Sequence, residues 1–222
     1  MPRDGSATRQ RILDTAERLV IDNGFAATSV DQVIAESGTS KGAFFHHFDS
    51  KTALARALVD RYAAADIGHL ERAVAQVEAA TDDPAARVIA FLRVFEDGAD
   101  ELMAAQSSCL YVSVLTERQL ASSGTWDQIT RAVLAWRAEL ARLLDDALAA
   151  RPDAIPVDTS ALADHVFVTF EGAFVLARSM NDAGHMRAQL RVLRQLLKAL
   201  LAPRPTGTGQ GKTPQTIAIT SL

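Results

Sequence analysis

The stretch GTSKGAFFHHFDSK, Gly38 to Lys51, carries three phenylalanines, two adjacent histidines and two lysines within fourteen residues. The chain on either side is mostly Ala- and Leu-rich with a helical period, so the contrast needs a reason. Gly38 suits a left-handed turn residue, and Ser40 suits the cap of a helix that begins at Lys41. Phe44 and Phe48, at i and i+4, share one face of that helix and read as its buried side. Phe45, His46 and His47 then fall beside or opposite that side.

Upstream, Thr8 to Asn23 repeats apolar residues at Ile12, Ala16, Leu19 and Val20 with charges between them, and Asn23-Gly24 is a natural stop. TSVD at Thr28 reads as a capping box in which Thr28 accepts a backbone N–H and Asp31 reaches back. The short helix that follows, with Val30, Val33 and Ile34 inward, ends by Gly38. Two short helices around a glycine-bearing turn form a helix-turn-helix, whose second helix enters the DNA major groove N-terminus first. That placement explains the odd composition. Lys41 adds a cation, Gly42 and Ala43 are small enough to approach base edges or a thymine methyl, and the free N–H groups of a helix start attract phosphate. Phe45, His46 and His47 can lie along the backbone, and Lys51 sits where it can pair with a phosphate. Residues 1–51 hold six Lys/Arg against seven Asp/Glu, so binding here depends on where the charges stand.

Downstream the helical period continues. Helices are expected from Lys51 to Ala79, through Val88, Phe91, Leu92, Phe95 and Leu102, from Leu110 to Leu120, from Ile129 to about Arg151-Pro152, from Asp158 to Met180 and from His185 to Leu201. Asp83-Pro84 supplies a cap followed by proline at the first helical position. The stretch from Pro203 to Leu222, rich in Pro, Gly and Thr, reads as a disordered tail. The fold class is therefore all-α: a helix-turn-helix domain over 1–50, a larger helical domain over 51–202 and a tail over 203–222.

Composition limits the alternatives. The 222 residues carry a net charge of −4, which gives no overall pull toward polyanions. No apolar N-terminal run and no window near the roughly 20 apolar residues of a membrane span are evident, so a cytoplasmic protein is expected. One cysteine, Cys109, excludes an internal disulfide and a Cys-based zinc site. His46 and His47, neighbours on a helix, diverge by about 100° and do not make a metal pair. No metal or cofactor is expected.

The block TRQRILDTAERLVIDNGFAATSVDQVIAESGTSKGAFFHHFDSKTAL closely resembles the N-terminal DNA-binding module of the TetR family of bacterial transcriptional regulators, over about residues 8–60. The resemblance implies a homodimeric repressor that leaves double-stranded operator DNA when a small molecule binds. It also implies Thr28 at the DNA backbone, Lys41, Gly42 and Ala43 at the groove, Phe45, His46 and His47 along the phosphates, and Lys51 on a phosphate. Position 45, commonly tyrosine in the family, is Phe45 here and lacks a hydroxyl for phosphate.

In the C-terminal part, FVTFEGAFVLAR puts Phe167, Glu171, Phe174 and Arg178 on one helical stripe and Val168, Gly172, Val175 and Ser179 on another. The second stripe is assigned to a subunit interface. Phe91, Phe95, Tyr111, Trp136 and Phe170 are expected to line a cavity for a largely apolar or aromatic effector, and Glu171 either meets a cationic or hydrogen-bonding group of that effector, or pairs with an arginine at a subunit interface or reaches solvent. Cys109 is either a reactive sensor thiol in that region or a small buried hydrophobe. Two other classes remain. An enzyme would have to use His165, Asp164 and Glu171, which scatter around their helix, and the tail's GTGQGKT lacks the first glycine and the strand of a phosphate loop. A helical adaptor would leave Ser40 to Lys51 unexplained.

Overall fold

The computed structural model describes residues 5–105, 125–151, 153 and 155–203, and every regular element in them is an α-helix. Helix α1 spans Gly5–Asn23 and buries Ile12, Leu13, Ala16, Leu19 and Val20, which recur at the helical spacing. Helix α2 (Val30–Ser37) starts at Ser29, whose hydroxyl accepts the N–H of Gln32 at 3.1 Å. This corrects the capping expectation: the cap is Ser29, not Thr28. Thr28 is only 2% exposed, and its hydroxyl donates to the carbonyls of Leu19 (3.1 Å) and Gly24 (2.9 Å) at the end of α1. Gly38, at φ 62°, turns the chain out of α2 in the left-handed conformation that glycine adopts without strain.

Helix α3 (Lys41–His47) is capped by Ser40, which accepts from the Ala43 N–H at 3.1 Å, and buries Phe44. Ser50 caps the 30-residue helix α4 (Lys51–Ala80) in the same way through the Ala53 N–H. Helix α5 (Pro84–Asp97) begins with Asp83 accepting from Ala85, as the Asp-Pro pair requires. Helix α6 covers Ala99–Ala105, α7 Trp126–Ala149, α8 Thr159–Met180 and α9 Gly184–Leu200. The expected helix at 110–120, with Cys109 and Tyr111, and the tail from 204 lie outside the described residues.

The core has two parts. One runs from α1 and α3 through Leu54, Leu58 and Val59 of α4 to Ile129, Phe174 and Leu190, so the N-terminal helices and the larger domain share the apolar spine of α4. The other packs Leu70, Val74 and Val77 of α4 against Phe91, Leu143, Leu144 and Leu193. Ion pairs cross the helix seams: Arg137 meets Asp164 in a two-point contact at 2.6 and 2.8 Å between α7 and α8, and Glu96 on α5 receives Arg191 (2.9 Å) and Arg194 (2.7 Å) from α9.

Helix α8 also corrects the expectation that no window approaches a membrane span. It has 22 residues and a best 18-residue window of mean hydropathy 1.3, enough to cross a membrane by length and composition. The reason is that α8 has two apolar sides. Ala163, Val166, Ala173, Phe174 and Ala177 face the core, while Val168 (63% exposed), Val175 (51%) and Met180 (58%) face outward.

Candidate functional site

The first candidate surface is the start of α3. Ser40 is exposed and holds the first turn, Lys41 and Gly42 are exposed, and Ala43 is half-buried. A side chain added at Gly42 would meet nothing within 4 Å, so no packing inside the chain demands glycine there. Small residues at an exposed helix start admit a close approach from outside. Phe45 is 43% exposed and rests edge-on against the buried Phe44, with ring centroids 5.2 Å apart. His46 is exposed and its ring lies 5.0 Å from that of half-buried His47. Ser40 to His47 thus form one polar and aromatic edge over a fixed apolar floor of Phe44 and Phe48.

Two residues expected on this surface are placed otherwise. Thr28 is buried, with its hydroxyl donating to the Leu19 and Gly24 carbonyls at the end of α1. The Lys51 ammonium donates to the carbonyls of Phe25 (2.6 Å) and Ala26 (3.3 Å) and lies 4.3 Å from the Phe25 ring centre. It ties down the loop between α1 and α2, and the cause is local: those carbonyls follow the end of α1, where the helix no longer uses them. Among the charges nearby, Arg18 pairs with Glu36 at 2.6 Å between α1 and α2, and its hydrogen bond lowers the Glu36 pKa below the usual carboxylate value.

The second candidate site is a cavity of about 770 Å³ under α4. Phe91, Phe95, Trp136, Phe170 and Glu171 all line it, as the sequence places them, together with Phe167 and Phe174. The rings of Phe91, Phe95 and Trp136 stand 5.1 to 6.1 Å apart in tilted or edge-on pairs, and Phe170 meets Phe95 edge-on at 5.8 Å. These are the spacings at which aromatic pairs attract. The Trp136 indole N–H donates to Asp66 of α4 at 3.0 Å, which fixes the ring across the cavity wall.

Gln10, Asp14 and Glu17 of α1 and Arg61 of α4 also line this cavity. Arg61 bridges Asp14 at 2.6 Å and Glu17 as well. No local pattern in the sequence marks these four: α1's charged face reads as solvent-facing, and Arg61 lies more than forty positions from its partners. Phe167 and Phe174 did carry a signal, since both share the helical stripe of Glu171.

The other stripe of α8 is turned away. Val168, Gly172, Val175 and Ser179 are all exposed, next to Leu176, Met180 and, on α9, Val192 and Leu196. The three residues of the enzyme alternative do not meet: Asp164 is held by Arg137, His165 is exposed and Glu171 faces the cavity. Among the described residues, no three His, Cys, Asp or Glu side chains are grouped to hold a metal ion.

Comparison with known proteins gives two consecutive family matches. Residues 12–58 match the model described as bacterial regulatory proteins, tetR family, and residues 84–193 match that of the tetracyclin repressor-like C-terminal domain. The chain belongs to the TetR family. Its N-terminal part is 44% identical over 54 residues to the uncharacterized HTH-type transcriptional regulator YerO of Bacillus subtilis, a match covering 24% of this chain and 19% of YerO. Over 175 residues it is 23% identical to the transcriptional regulator AcuR of Cereibacter sphaeroides, covering 79% of this chain and 78% of AcuR. A crystal structure of a TetR transcriptional regulator from Chloroflexus aurantiacus superposes with a TM-score of 0.72 at 28% identity, covering 88% and 96% of the two chains. As a TetR-family member the chain is a DNA-binding transcriptional regulator and not an enzyme.

Proposed function

We propose that this regulator is a cytoplasmic homodimeric repressor that leaves its operator when a small, largely apolar or aromatic molecule fills the cavity under α4. The observation that carries the reading is the shared wall: one cavity is lined by the aromatic residues of the larger domain and by Gln10, Asp14 and Glu17 of the DNA-binding domain's first helix. A molecule bound there touches the element that positions the helix-turn-helix. Ser40, Lys41, Gly42 and Ala43 would meet the groove, with Phe45, His46 and His47 along the phosphates.

The exposed apolar stripes of α8 and α9, from Val168 to Met180 and at Val192 and Leu196, support a subunit interface, with Gly172 and Ser179 letting a partner helix come close. Pairing there presents two copies of α3 to half-sites about one DNA turn apart. A ligand that moves the dimer from 1:99 to 99:1 released must prefer the released form by roughly 10⁴-fold. No membrane partner is needed to cover α8 once a second copy does so.

Fluorescence anisotropy tests the reading: the purified protein is titrated onto DNA from around its own gene and onto a scrambled duplex across a salt series. A strong preference for the native duplex with a steep salt slope is expected. Equal binding to both duplexes by a folded sample overturns it. Val168→Glu with Val175→Glu, measured by sedimentation, is expected to give a folded monomer with much weaker specific binding.

A further inference from the structure

We infer that the outer face of α5 carries a second ligand site, separate from the cavity under α4, for a small amphipathic anion with a slender apolar body and a carboxylate or phosphate head. The site is an open groove of about 510 Å³ between α5, the end of α7 and the last turns of α9. It stands whether or not the cavity is the effector site. Two helical stripes form its walls. Ala86, Ala90 and Arg93 follow one another at i, i+4 and i+7 along α5, and Arg194, Lys198 and Leu201 do the same along α9 and its cap. Alanine at 86 and 90 leaves room between the helices that longer side chains would fill, while Ile89 and the buried Leu201 make the lining apolar. Phe91 and Phe95 of the same helix line the cavity, so α5 separates the two spaces.

The charges on the groove are one-sided. Among the described residues, Arg93, Arg151, Arg194 and Lys198 line it against a single carboxylate, Asp83. Arg194 is held by Glu96, and Asp83 caps α5 by accepting the Ala85 N–H. Arg93, Arg151 and Lys198 make no ion pair and no side-chain hydrogen bond among the described residues. Lys198 and Arg151 stand at the C-terminal ends of α9 and α7, where a cation is favoured, yet neither side chain donates to a carbonyl there. Residues 204–222 add Arg204 and Lys212 and no Asp or Glu, so their side chains bring no counter-charge. An anion in the groove is attracted by three cations that nothing else neutralises, and an apolar body gains by covering Ile89 and the alanines. The groove also stays open in a dimer built on the exposed stripe of α9. Arg194 and Lys198 each follow Val192 and Leu196 by two positions, about 200° around the helix, and so face the opposite way.

Titration calorimetry on the full-length protein tests this with octanoate and octyl phosphate, against octyltrimethylammonium for the charge and inorganic phosphate for the apolar body. At least one of the two octyl anions is expected to bind saturably, at least about tenfold more tightly than the ammonium, and octyl phosphate at least about tenfold more tightly than inorganic phosphate. Arg93→Gln and Lys198→Gln should each weaken the anion by about threefold, the share of an exposed charge contact, and together by about tenfold. Both side chains are exposed, so urea unfolding of the double variant should match the wild type and show that the fold is kept. No saturable binding of either octyl anion overturns the proposal, as does an ammonium that binds equally well. Inorganic phosphate binding as tightly as octyl phosphate would reduce the groove to surface charge and also overturn it. A double variant that binds the octyl anions like the wild type would place them elsewhere, the cavity included, and sink the groove as their site.

Discussion

Arg61 Nη1 of α4 stands 2.6 Å from Asp14 Oδ1 of α1, and the same guanidinium reaches Glu17. One side chain thus fastens the first helix of the DNA-binding domain to the long helix that borders the cavity. Arg61→Gln should cost about 1 kcal/mol or less in global stability, because Asp14 is largely exposed and surface pairs are weak. The larger effect should be local. Amide hydrogen exchange of α1 is expected to quicken several-fold while that of α7 and α8 stays put, and unchanged exchange in α1 would show that the clamp does not hold the domain.

Thr28→Val tests whether position 28 acts on DNA or on the fold. The threonine hydroxyl is shared between the Leu19 and Gly24 carbonyls, and valine keeps its shape while leaving both acceptors without it. A loss of about 1–2 kcal/mol in urea unfolding is expected. DNA affinity per folded molecule should hold. A drop in affinity with no loss of stability would return Thr28 to the DNA backbone.

Lys51→Met separates two roles in the same manner. The methionine keeps an apolar stem over Phe25 and removes the ammonium from the Phe25 and Ala26 carbonyls. Thermal unfolding should report about 1–2 kcal/mol of lost stability. The slope of log affinity against log salt should stay as in the wild type. A slope flatter by about one unit would instead mean a phosphate contact.

These residues show how much was legible in the sequence. Local rules found the helix-turn-helix, since caps, a left-handed glycine and an i, i+4 phenylalanine pair act within a few positions of one another. Helical spacing likewise separated Phe167, Glu171 and Phe174 of α8, which line the cavity, from the Val168 stripe, which is exposed. Two adjacent hydroxyls, Thr28 and Ser29, defeat such rules, because either satisfies a capping pattern and only burial against α1 assigns them. Lys51 and Arg61 defeat them for a different reason. A long cation's partner is chosen by tertiary proximity, across 25 or 26 positions for Lys51 and 47 from Arg61 to Asp14.

Glu96 provides the pH test. Its carboxylate is nearly buried between Arg194 and Arg191, and the hydrogen bond from Arg194, followed by burial acting in opposition and then by Arg191, leaves its pKa below the usual carboxylate value. The sign follows: the folded pKa is depressed, so Glu96 contributes its stability above the unfolded pKa of about 4.3 and loses it as the pH falls through the lower folded value. Glu96→Gln leaves two arginines without their counter-charge, and it should cost about 2–3 kcal/mol near pH 7, at or just below the roughly 3–5 kcal/mol of breaking a fully buried pair because Arg191 is half exposed. As the pH falls below the unfolded value and through the lower folded one, the wild type also loses this contribution, so the gap between the two urea-unfolding curves should narrow there. A gap of constant size from pH 7 to pH 3 would assign the cost to packing around the side chain and not to the ion triad.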